Sequence, residues 1–165
     1  MTRSRARTAR VGLALALLLV VTGCSAETKV TSTMDDTVRQ VRGRVAVVAN
    51  ESGSLAELRR RVRAGEAYTL LVLDAGPEDI RTTKPFPTTA ITALHSTDGR
   101  LELELFTTGH ESRQTGWFGD EATNLFGCAL VTAEPGGGAS ARGTTCGRTV
   151  LEVFPEPWDQ VRLHP

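Results

Sequence analysis

The side chains able to carry chemistry in this chain are few and widely spaced. The three histidines, His95, His110 and His164, form no H-x-H or H-E-x-x-H string and match no carboxylate spacing of a zinc or facial-triad site, so the sequence indicates no metal and no cofactor. His95 closes an apolar segment and His110 precedes Glu111 in a polar one, which reads as surface histidine. Neither G-x-S-x-G nor S-x-x-K occurs, and although His95, Ser96 and Asp98 fall together, neighbours in one turn seldom reach the geometry that nucleophile and base need. No catalytic residue is assigned. Asp74, Glu78 and Asp79 could act as paired carboxylates or hold calcium, but they match no D-x-D-x-D-G loop and a solvated turn is the plainer reading. Trp117, Phe118 and Trp158 are candidate binding residues for saccharide or protein, and would equally close the ends of a core.

The N-terminal residues carry a different kind of signal. Arg3, Arg5, Arg7 and Arg10 precede the apolar run Val11 to Val21, broken only by Gly12, as in a secretory signal. As a helix this run covers only ~17 Å of a roughly 30 Å hydrocarbon core, too little for a permanent span. Arg3 and Arg5 are not adjacent, so a twin-arginine route is not indicated. The run ends in Val21-Thr22-Gly23-Cys24, which resembles the lipobox of bacterial lipoproteins. The resemblance is confined to residues 1–24. It implies that residues 1–23 are a signal peptide, that the Cys24 thiol receives diacylglycerol, and that the mature chain is lipid-anchored on the extracytoplasmic face of the cell membrane. Two acyl chains matter physically, because each buried methylene contributes about 0.8 kcal/mol and one chain anchors only marginally. Arginine outnumbers lysine seventeen to two, a bias of GC-rich coding that points to an actinobacterial source.

In such a compartment the two remaining cysteines, Cys128 and Cys146, are expected to form a disulfide. If they face each other across a hairpin, its turn centres on Gly137. Leu151 and Val153 are then out of phase with Cys146, which calls for a β-bulge at Gly147 or Arg148.

The elements that must position these residues can be read from periodicity. Residues 24–36 are expected to form the lipidated N-terminus and a flexible tether, because Ser25 to Asp36 is polar and rich in residues that compete with regular structure. A coil of that length reaches roughly 18 to 20 Å. Residues 37–165 then form one globular exported domain. Val38, Val41, Val45 and Val48 predict a helix over 37–49 with Asp36 as N-cap, a strand at 45–48 being the alternative. Ser54 and Glu57 have capping-box spacing before Leu55, Leu58 and Val62, and Gly65 stands at a C-cap position. Arg59, Arg60, Arg61 and Arg63 should face solvent.

Tyr68 to Leu73 reads as a central strand, and Ala90 to Leu94 with Leu101 to Leu105 as a hairpin turning at Asp98-Gly99. Phe126 to Thr132 and Thr149 to Phe154 read as two further strands separated by a loop over 134–143. The expected fold is α+β, with one or two N-terminal helices packed on an antiparallel sheet of about five strands.

Composition narrows the function. With 40% hydrophobic and 23% charged residues the chain is globular. Its formal charge of zero includes four N-terminal arginines, which leaves an acidic body with no footprint for nucleic acid. Gly136 to Gly138 lacks the Gly-Lys-Ser/Thr ending of a phosphate loop. The leading expectation is a membrane-anchored, non-enzymatic binding or accessory module whose partner is an envelope or membrane protein or cell-wall glycan. The alternative is an envelope hydrolase acting on wall glycan or peptide, with its site around Asp74, His95 and His110.

Overall fold

The computed structural model describes residues 26–68, 70–114 and 120–165. Its first element, α1 (Ala26–Asn50), corrects the expected tether: residues 26–36 are its first three turns. Val30, Met34, Val38, Val41, Val45 and Val48 recur at helical spacing and are all buried. The polar residues between them face outward, so composition hid a stripe that periodicity carries. Asp36 is not an N-cap but lies within the helix, paired with Arg39, and 45–48 is helical rather than extended.

At its far end α1 is finished by one distant group and one close by. The Gly136 amide donates to the Ala49 carbonyl at 2.8 Å and the Ser52 hydroxyl to that of Val48 at 2.7 Å, satisfying carbonyls that a helix end leaves open. α2 (Leu55–Arg63) follows as its sequence dictates, with the Ser54 hydroxyl accepting from the Glu57 amide at 3.2 Å. The Glu57 carboxylate reaches back to the Gly53 amide rather than that of Ser54, and Gly65 turns the chain at φ 83°. Arg61 departs from expectation. It bridges Glu51 at 2.9 Å and Glu66 at 2.6 Å, and these hydrogen bonds, Glu51 first, hold its pKa above the ordinary value. Leu58 is fully buried, so Leu58→Asp should cost about 3–5 kcal/mol in chemical denaturation. Arg60→Ala, on the exposed side, should stay within about 0.5 kcal/mol; equal losses would show the wrong face against the sheet.

The sheet contains β1 (Thr89–Thr97), β2 (Arg100–Gln114), β3 (Asp120–Ala133) and β4 (Ala139–Thr144), antiparallel in that order. The short β5 (Asp159–Gln160) joins β3 in parallel at Leu125 and Phe126, where β4 has already ended. β1 and β2 turn at Asp98 and Gly99, both at positive φ. The fold is thus α+β on a five-stranded, mostly antiparallel sheet. Tyr68 to Leu73 is not a central strand. It touches the outside of β1 through a single parallel bridge, Leu71 to Ile91. Its continuous hydrophobicity has another cause: Leu71 and Leu73 pack into the core under α1, while Leu70 and Val72 pack into a second core on the opposite sheet face.

That second core requires two helices the strand readings missed, α3 (Pro77–Thr82) and α4 (Arg148–Val153). Thr149 to Phe154 was expected as a strand. Here Val150, Val153 and Phe154 are buried and Leu151 is 42% exposed, a two-turn helical pattern. Phe154 stacks on Phe126 and meets Phe106 edge-on. Residues 139–143, expected as loop, are strand, and only the turn at 134–138 remains.

The expected Cys128–Cys146 bond is present, with S–S 1.99 Å. Cys128 registers with Thr144, so Cys146 lies just past the end of β4. No bulge at Gly147 or Arg148 is needed, because the chain leaves the sheet there and begins α4.

Candidate functional site

The helices α3 and α4 cover only part of the second sheet face, and the rest forms an open cleft of about 620 Å³. Register builds its floor. Ala93, Glu104, Leu130 and Arg142 form one cross-strand row of it; in the next row, His95, Glu102, Thr132 and Ser140, only Glu102 lines the cleft. The alternation of Leu101 to Leu105 places the leucines under α1 and the glutamates here. The walls are Asp74 and Ala75 on one side and Gly147 to Val150 on the other.

Charge in the cleft is only partly matched. His95 Nε2 lies 3.5 Å from Glu104 Oε1, whereas Glu102, Arg142 and Arg148 form no ion pair among the described residues. Glu104 and Arg142 are two strands apart, roughly 10 Å between backbones, and do not pair with each other. Half-buried Leu130 lies between them. A mixed-charge surface around an apolar centre is suited to recognition by hydrogen bonds and charge.

The residues singled out by sequence scatter. Asp74 lines the cleft, but Glu78 pairs with Arg81 and Asp79 accepts from the Gly76 amide at the start of α3. His110 is hydrogen-bonded to Asn124 at 2.7 Å. It stands eight residues along β2 from Glu102, the partner of His95, or ~26 Å at strand rise. The His164 amide donates to Asp35. Asp74, His95 and His110 therefore build no common site, and no serine or threonine is hydrogen-bonded to His95 among the described residues. No group of three His, Cys, Asp or Glu among the described residues could hold a metal ion. Trp158 is half-buried against Phe154, with ring centroids 5.2 Å apart, and closes the second core. Cys24, Trp117 and Phe118 lie outside the described residues.

Glu102 and Glu104 were legible as the wet side of a strand, although no site was assigned to them. Arg142 was hidden in a stretch whose composition suggested a loop, and Arg148 in one that suggested a strand. Fold and cleft together define a small α+β domain with a disulfide-pinned second layer and an open, charged sheet face. Comparison with known protein families, with characterised proteins and with solved structures finds no match to this chain.

Proposed function

We propose that this chain is a non-enzymatic binding module of the cell envelope, held on the extracytoplasmic face of the membrane by lipid on Cys24. The observation that carries the binding reading is the open cleft, whose Glu102, Arg142 and Arg148 have no ion-pair partner among the described residues. The location is supported by the charged and apolar run ending at Cys24 and by a disulfide that suits an oxidising compartment. The hydrolase alternative would need Asp74, His95 and His110 together, and His110 lies ~26 Å along β2 from the residue that pairs with His95.

The start of α1 gives the proposal an orientation. Only Ser25 separates Cys24 from Ala26, and Lys29 pairs with Glu111 at 2.9 Å, so the lipid would sit at the end of the sheet where β2 passes to β3. The cleft belongs to the opposite half of the sheet and would face away from the bilayer.

The test is fractionation of cells expressing the full-length chain or Cys24→Ser, with mass spectrometry of the N-terminal peptide. Wild type should be in the membrane fraction with Cys24 first and carrying a diacylglyceryl group, and Cys24→Ser should be lost from that fraction. An unmodified Cys24, or equal membrane association of both chains, would overturn the anchor.

A further inference from the structure

We propose that the outer edge of β4 receives an extended, acidic segment of a partner protein as an added strand. This deepens the binding reading and rests on it, but not on the lipid. The two edges of the main sheet differ. Outside β1, residues 70–72 supply backbone bonds, Val72 donating to Ile91 at 3.0 Å and Ile91 to Leu70 at 3.1 Å. β4 bonds to β3 on one side, and no backbone group of another described segment pairs with its outer side. In an antiparallel strand every second residue then directs its N–H and C=O outward.

The surroundings of this edge match what strand addition requires. An added strand sends alternate side chains to the two sides of the sheet, where pockets give specificity. Arg142, Thr144 and Thr145 border the 620 Å³ cleft and also a second cavity of about 510 Å³ that runs to Gln160, Val161 and Arg162. The edge is therefore flanked by two recesses.

Charge selects the occupant. Arg142, Arg148 and Arg162 around these two recesses have no carboxylate partner among the described residues; Arg42, Arg44, Arg59, Arg60 and Arg63 are likewise unpaired but line neither recess. The acids of the cleft, Asp74, Glu102 and Glu104, lie toward β1 and β2. Three unmatched guanidinium groups beside an open backbone edge complement a segment carrying Asp or Glu at alternate positions.

Full-length protein purified in mild detergent is panned against a displayed library of random peptides, and the selected peptides are followed by hydrogen exchange. Selection should enrich proline-free sequences with alternating Asp or Glu, and the best should slow exchange at residues 139–144 about tenfold or more. Arg142→Glu with Arg148→Glu, two exposed residues, should weaken Kd about tenfold with an unchanged melting temperature. An edge that excludes strands would select nothing. That result, protection elsewhere, or equal affinity of the double variant would overturn the proposal. Cys24→Ser should bind the peptides as wild type does, so loss of the anchor reading and loss of this one are separately visible.

Discussion

Replacing Gly143 by valine should destabilise the domain by about 4 kcal/mol, on the order of 10–20 °C in melting temperature, although the substitution adds only apolar atoms to a strand. The reason is the C-terminal segment. After β5 the Val161 amide donates to the Phe126 carbonyl at 2.9 Å, and Leu163 enters between α1 and the sheet, where it is 1% exposed. It fits because two neighbouring strands carry glycine beneath it. A Cβ at Gly127 would lie 2.8 Å from the Leu163 side chain, and one at Gly143 only 2.0 Å from the Leu163 carbonyl oxygen. Backbone cannot swing aside as a side-chain end can, so the segment would have to leave. Its departure would forfeit the burial of Leu163, a loss comparable to large-to-small core truncation at about 2–5 kcal/mol, and the bond from the His164 amide to Asp35. Gly138→Ala is the control, since a Cβ there meets nothing within 4 Å. Matching thermal melts for the two variants would show that the C-terminus is not wedged on the sheet.

The notch at Gly127 and Gly143 shows where sequence reading stops. Nothing local marks those glycines as different from Gly138; only the crossing of a segment far along the chain does. Features decided within a few residues were legible: the Ser54 cap, the Gly65 turn, the Asp98-Gly99 hairpin and the wet row of Glu102 and Glu104. The disulfide was legible from cysteine count and compartment. Features decided by the second layer were not. Thr149 to Phe154 has strand composition but follows a disulfide that holds it against the aromatic side of the sheet, where two helical turns bury Val150, Val153 and Phe154. Residues 139–143 look like loop, yet β3 offers them a free ladder to pair with. With that strand went Arg142, the most informative residue of the cleft.

The first three turns of α1 set the other large expectation: Met34→Asp should cost about 4 kcal/mol, while Ser32→Ala, two residues away and exposed, should stay within about 0.5 kcal/mol. Met34 is 1% exposed and Val30 6%, and both press on Gly109, where a Cβ would stand 2.2 Å from Val30 Cγ1 and 3.0 Å from Met34 Sδ. An aspartate there would bury a charge, and Lys29 is already paired with Glu111. Were residues 26–36 a flexible linker, both substitutions would leave the urea midpoint where it is, and that outcome would remove these turns from the core. The distinction bears on the proposed anchor. A coil of this length would let the domain roam roughly 18 to 20 Å from its lipid. A packed helix of 25 residues, ~37 Å long, would instead restrict how an anchored domain stands on a bilayer, because α1 is continuous with the core that holds the sheet. Lipid on Cys24, if the proposed anchor holds, would then limit the heights and facings open to the β4 edge, and a partner reaching that edge would meet a surface turned away from the membrane.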